Sequence, residues 1–157
     1  MTFPKIGNLA PAFTLLDHNE SKIRLTDFRN KNNVVLYFYP KAMTPGCTTQ
    51  ACGLRDSKSV LTKLKTVAIG VSPDAPARLK KFTERDSLNF RLLSDEGHDI
   101  ADKYGVWGLK NFMGREFMGI LRTTFIIGKD GRLKHIIKKV NTKSHHQDVV
   151  EYIRNKL

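Results

Sequence analysis

The chain has 157 residues, 40% hydrophobic and 27% charged, the balance of an ordinary soluble globular domain. At that length roughly 68–70% of the unfolded surface can be buried, so one domain spanning residues 1–157 needs neither disulfides nor a structural metal. The net charge of +12 favours loose attraction to polyanions. Its basic residues are scattered, however, and the nearest cluster, Lys138, Lys139 and Lys143, is too sparse for a specific nucleic-acid surface. The N-terminus MTFPKIGNLAPAF carries no basic segment followed by an apolar core, and the longest apolar run, Val34 to Tyr39, is far too short for a membrane span. A cytoplasmic protein is therefore expected. Two cysteines in a reducing compartment point to redox, catalytic or metal chemistry rather than to a disulfide framework.

In chain order, residues 8–17 and Ile23 to Leu25 read as a short hairpin over the polar turn Asp17 to Lys22. Val34 to Tyr39 is apolar throughout and rich in β-branched and aromatic residues, the pattern of a strand buried on both faces. Pro40 ends it. A helix is expected from Gly46 onward, with Leu54, Leu61 and Leu64 near helical spacing. Val67 to Val71 is a second buried strand. Ser72 to Pro76 turns into a helix capped by Asp74 or Ser72, with Pro76 in its first turn and Leu79 and Phe82 on its apolar face. Phe90 to Leu93 is a short strand, and Asp95 to Tyr104 a helix stopped at Gly105. Thr123 to Ile127, the turn Gly128-Lys129-Asp130-Gly131 and the return strand with Leu133, Ile136 and Ile137 form a late hairpin. His145 to Leu157 closes the chain as a helix with Val149, Ile153 and Leu157 spaced by four and the pair His145-His146 as its solvated start. Alternating strands and helices give an α/β fold with a mostly parallel sheet. The late antiparallel hairpin favours a thioredoxin-like arrangement over a flavodoxin-like one.

The segment from Tyr39 to Cys52 carries the chemistry. A buried strand ends, a loop bearing Thr44 follows, and Cys47 opens a helix. Catalytic groups of open α/β sheets gather at the carboxyl ends of strands. Free amides and the partial positive charge of a helix start favour thiolate, the nucleophilic form. Cys52 lies five residues on, about 7.5 Å of rise and roughly 140° around an intact helix. Two sulfurs so placed bond only if the helix start unwinds. The same spacing departs from zinc motifs, and no histidine completes a ligand set with the cysteines, so no metal or cofactor is expected. Thr44 can donate and accept a hydrogen bond beside the sulfur, or simply brace the turn before Pro45. A fixed cation beside the thiolate is also expected; Arg122, just before the strand Thr123 to Ile127, is one of ten arginines, and only the resemblance below selects it.

Pro40, Thr44 and Cys47, in the order P-x-x-x-T-x-x-C, resemble the active-site signature of peroxiredoxins. The longer string YFYPKAMTPGCTTQACGLRD is similar to the bacterioferritin comigratory protein, or peroxiredoxin Q, subfamily. The likeness continues through 92–108, 112–127 and the closing hairpin. The resemblance implies a thioredoxin-like fold with a central mixed sheet, flanking helices and an N-terminal β-hairpin, and an antioxidant thiol peroxidase acting on hydrogen peroxide and organic hydroperoxides. It implies that Cys47 is the peroxidatic cysteine, Cys52 the resolving one and Cys47–Cys52 the disulfide. It implies that Thr44 and Arg122 polarise the peroxide and hold the thiolate, and that Pro40 shields the pocket. It also implies a monomer recharged by thioredoxin or a similar dithiol.

Two other readings remain. A thioredoxin-type oxidoreductase would use C-x-x-C and carry a proline before its late hairpin, whereas the last proline here is Pro76. A basic binding module has only the net charge in its favour.

Overall fold

The computed structural model describes residues 2–157. Val34, Leu36 and Phe38 alternate with Val35 and Tyr37, and all five are at most 1% exposed. Strand side chains alternate between faces, so this stretch must be covered on both sides. It forms the central strand β3 (Asn33–Phe38).

Seven strands make one sheet in the order β2-β1-β5-β4-β3-β8-β9. β3 pairs parallel with β4 (Thr66–Ser72), which pairs parallel with β5 (Arg91–Ser94). β8 (Thr123–Ile127) runs antiparallel to β3 and to β9 (Leu133–Ile137). On the far edge, β1 (Thr14–Asp17) pairs antiparallel with β5 and with β2 (Lys22–Arg24). The expected mixed thioredoxin-like sheet and its N-terminal hairpin are both present.

Each face of the sheet has its own core. Val35, Tyr37, Ile126 and Leu92 pack with side chains of α1 (Pro45–Asp56), α2 (Lys58–Lys63), α3 (Pro76–Arg85) and α5 (His145–Lys156). Val34, Leu36, Phe38 and Phe125 pack with α4 (Asp99–Lys103) and the N-terminal segment. Burying each such side chain contributes about 1.5–3 kcal/mol against the entropy of ordering it. Among the described residues, no helix is long and apolar enough to cross a membrane.

Five local expectations are revised. The helix expected from Asp95 to Tyr104 is only α4; Asp95 instead turns its carboxylate back to accept from Ile100 N–H at 3.2 Å and Ala101 N–H at 2.9 Å. The helix after Cys47 breaks at Ser57, whose hydroxyl donates to Gly53 O at 2.9 Å and separates α1 from α2. Neither Asp74 nor Ser72 caps α3; Ala75 occupies that position, because Asp74 is engaged elsewhere. The apolar spacing of α5 buries Val149 and Ile153 but stops short of Leu157, which is 46% exposed. Residues 107–120, unassigned from sequence, form a separate two-stranded arm, β6 (Trp107–Phe112) and β7 (Arg115–Ile120).

Gly70 sits in mid-β4, opposite Tyr37 and Leu92. A Cβ there would lie 2.8 Å from the Tyr37 ring and hydroxyl and 3.0 Å from Leu92. Both neighbours are fully packed and cannot swing away. Gly70→Ala is expected to destabilise the fold by about 1–3 kcal/mol, the usual cost of overpacking, read as a lower urea midpoint at unchanged slope.

Candidate active site

The site is built where β3 stops. Beyond Tyr39 and the half-buried Pro40, the chain turns through Lys41 to Thr44 and enters α1 at Pro45. Pro45 suits the first helical position, where its missing N–H costs nothing. The loop is pinned from α3. Asp74 Oδ2 accepts from Ala42 N–H at 2.8 Å, and Arg78 Nη2 donates to Ala42 O at 3.0 Å. Asp74 and Arg78 also pair with each other at 3.2 Å, and Ser72 Oγ donates to Asp74 Oδ2 at 2.7 Å. Between these anchors Met43 takes φ +65°, an uncommon conformation for a side chain of its size. The loop is held in a strained shape beside the cysteine.

Thr44 is the N-cap residue of α1, yet its hydroxyl makes no cap bond. It donates to Lys41 O at 2.8 Å. With its proton committed there, the Thr44 oxygen keeps its lone pairs as an acceptor. The first i→i−4 bond here is Thr48 N–H to Thr44 O, so the Cys47 amide precedes the helical ladder. The Cys47 side chain is 1% exposed.

Arg122, between β7 and β8, brings its guanidinium to this point. Its Nη2 lies 3.4 Å from Cys47 Sγ and its Nη1 donates to Gln50 Oε1 at 2.7 Å. Gln50 is one turn after Cys47, on the same face of α1, and is itself buried. Lys110 on β6 is a second cation in the neighbourhood. Burial, then the charge of Arg122, lowers its pKa, while the Cys47 sulfur acts the other way.

Arg122 thus meets Cys47 at the start of α1, and Pro40 and Thr44 lie on the loop that leads into that start. Cys52 lies in the same unbroken helix, half-buried, and both thiols are free. A helix intact from Pro45 to Asp56 keeps the two sulfurs apart by the rise and rotation set out above.

Sequence reasoning did not single out Gln50, Lys110, Asp74 or Arg78 as site residues. Gln50 could have been found, because a buried-face residue three positions after a helical nucleophile is its neighbour. The other three are set by long-range packing. His145 was misread. It is 1% exposed, not the solvated start of α5. Its Nε2 lies 2.7 Å from Thr124 Oγ1 and its Nδ1 3.3 Å from Gln50 Nε2.

Burial, aided by His146 and Arg122, pushes the His145 pKa down to about 4 from its ordinary 6.5. A depressed folded-state value means neutral His145 supports the fold fully above about pH 6.5 and loses that support as pH falls toward 4. The shift corresponds to about 3 kcal/mol. Asp95, raised by burial, works in the opposite sense near its own ordinary value. Stability to urea is expected to fall across the His145 window, and His145→Asn should flatten that dependence.

A cleft of about 420 Å³ lies at the other end of the sheet, lined by Leu54, Leu61, Ala68 and Phe90, and includes neither Cys47 nor Arg122. The chemistry therefore rests on the helix start rather than on this cleft.

A thioredoxin-like sheet with a buried thiol at a helix start, under a fixed guanidinium, defines a thiol-redox protein. The sequence model described as the AhpC/TSA family matches residues 6–136. A peroxiredoxin bcp of Haemophilus influenzae is 54% identical over 150 residues, covering 96% of both chains. The peroxiredoxin Bcp of Escherichia coli K12 is 46% identical over the same share. Among solved structures, the peroxidoxin BcpB of Mycobacterium tuberculosis superposes with a TM-score of 0.86 at 31% identity, covering 98% of each chain. A PrxQ mutant of Xylella fastidiosa reaches 0.91 at 25% identity, again over 98% of each. The chain belongs to the AhpC/TSA family and, within it, to the bacterioferritin comigratory (PrxQ) peroxiredoxins. Its activity is thiol-dependent reduction of peroxides.

Proposed function

We propose that the chain, working as a single domain of residues 1–157, is a two-cysteine peroxidase in which Cys47 attacks and Cys52 resolves. The observation that carries the assignment of roles is the contact of Arg122 Nη2 with Cys47 Sγ at 3.4 Å, together with the free amide of the helix start. The Cys47 thiolate attacks one peroxide oxygen, the O–O bond breaks, and the sulfur becomes a sulfenic acid. The departing oxygen leaves as hydroxide or alkoxide and takes a proton from solvent to give water or an alcohol.

Thr44 accepts from the peroxide hydroxyl, because its own proton is held by Lys41 O. Arg122 and the Cys47 N–H stabilise the charge that develops on the oxygens. Pro40 limits water at the sulfur. The first turns of α1 then unwind, the Cys52 sulfur displaces water from the sulfenic acid, and the Cys47–Cys52 disulfide forms. A dithiol such as thioredoxin restores both thiols by exchange. No cofactor takes part. The active form is a monomer in the cytoplasm, where such a reductant keeps thiols reduced.

The test is consumption of hydrogen peroxide and of an organic hydroperoxide in the presence of thioredoxin and its reductase. Native protein should turn over both, and Cys47→Ser neither. Reduction of insulin disulfides without peroxide consumption would instead support the thioredoxin-type alternative.

A further inference from the structure

Beyond the residues that meet the peroxide, one buried side chain has partners on three different elements. His145 opens α5, and its ring lies 5.8 Å from Tyr37 of β3. It bonds Thr124 of β8 on one side and Gln50 of α1 on the other. Gln50 and Thr124 are as buried as His145 itself, at 1% and 0% exposure. At that depth a polar group that loses its partner is left unsatisfied at a cost in free energy.

Donor logic gives the chain a single polarity. Arg122 can only donate, so the Gln50 atom it meets at 2.7 Å is the amide oxygen. The Gln50 amide nitrogen must then donate to His145 Nδ1. Nδ1 is therefore bare, and the single proton of the neutral ring sits on Nε2, which donates to Thr124 Oγ1 at 2.7 Å. Any other state of His145 sets an N–H against the Gln50 amide. Gln50 would then turn over and present its own NH2 to Arg122, two donors face to face.

We propose that His145 is a positioning residue for the peroxide reaction: its bare Nδ1 selects the orientation of Gln50, and Gln50 thereby holds Arg122 against Cys47. The inference rests on the peroxidase reading above. It makes the start of the last helix, 98 residues from Cys47, part of the machinery that aims the guanidinium. His146 adds to the same contact, since its ring closes over Gly53 of α1, where a Cβ would meet Nδ1 at 2.5 Å.

Two substitutions separate the two ends of the imidazole. His145→Asn places an amide oxygen near the position of Nδ1 and keeps the acceptor for Gln50. His145→Gln reaches the Nε2 position, keeps Thr124 company and leaves the Gln50 amide nitrogen without a partner. The reading is the rate of Cys47 oxidation by hydrogen peroxide in a single turnover. His145→Gln should slow it about tenfold, the order expected for one unsatisfied buried donor, and His145→Asn by less than about threefold.

The second background is Gln50→Glu, whose two oxygens both accept from Arg122 and need no selection. There, adding His145→Gln should cost less than about threefold. Equal losses in both backgrounds, or no loss in the native one, would overturn the proposal, because a merely structural role would not depend on what stands at position 50. Alkylation of Cys47 by iodoacetamide reads the same comparison without peroxide. If native protein proves inert to peroxide but the alkylation rates follow the expected pattern, the peroxidase reading falls and the positioning role stands.

Discussion

Arg122→Ala is expected to slow oxidation of Cys47 by hydrogen peroxide about 10²–10³-fold, the usual loss when one preset donor to a developing anion is removed. The guanidinium has two fixed tasks. Nη2 contacts Cys47 Sγ and Nη1 is held by Gln50. An alanine removes the cation in both the ground state and the transition state. Arg122→Lys should recover only part of the rate, because an ammonium is a point charge and cannot reach the sulfur and Gln50 as a planar fork does. Stopped-flow oxidation with one equivalent of peroxide measures both. A loss below about threefold for the alanine variant would remove Arg122 from the mechanism.

Cys52→Ser should abolish catalytic turnover while leaving the first oxidation intact. With no resolving thiol, the variant consumes one peroxide per chain and stops. Its product is a sulfenic acid at Cys47, seen as a mass gain of one oxygen and trapped by a sulfenic-acid reagent such as dimedone. Continued turnover at the native rate would show that the reductant attacks Cys47 directly and that Cys52 has another use. In the native protein, the disulfide cannot form within the helix that spans Pro45 to Asp56. Hydrogen exchange over α1 should therefore rise in the oxidised protein and return on reduction.

Much of this site was legible in the sequence because its logic is local. The run from Val34 to Tyr39 announces a strand covered on both faces, Pro40 marks its end, and Pro45-Gly46 before Cys47 marks a helix start. Arg122 was different. Nothing local distinguishes it from the other arginines, and its choice came through resemblance; the structure brings it to Cys47.

What escaped was long-range or ran against local rules. The β6–β7 arm was missed because Leu109, Phe112, Phe117 and Met118 are all exposed, so its apolar residues follow no inward face. α4 was drawn too long because Asp95 resembles a first-turn acid, whereas it caps the helix from a loop four residues earlier. Asp74 was read as a local cap and instead reaches Ala42, 32 positions back. His145 was read as solvated because a histidine pair at a helix start usually is. Its burial depends on Gln50 and Thr124, which no spacing rule connects to it.

The most direct test of the central claim is a count of free thiols with intact mass, before and after one equivalent of hydrogen peroxide. The expected result is a loss of both thiols, a mass lower by two hydrogens, and a single linkage mapped to Cys47 and Cys52. Survival of both thiols, or a stable gain of oxygen with Cys52 still free in the native protein, would contradict it.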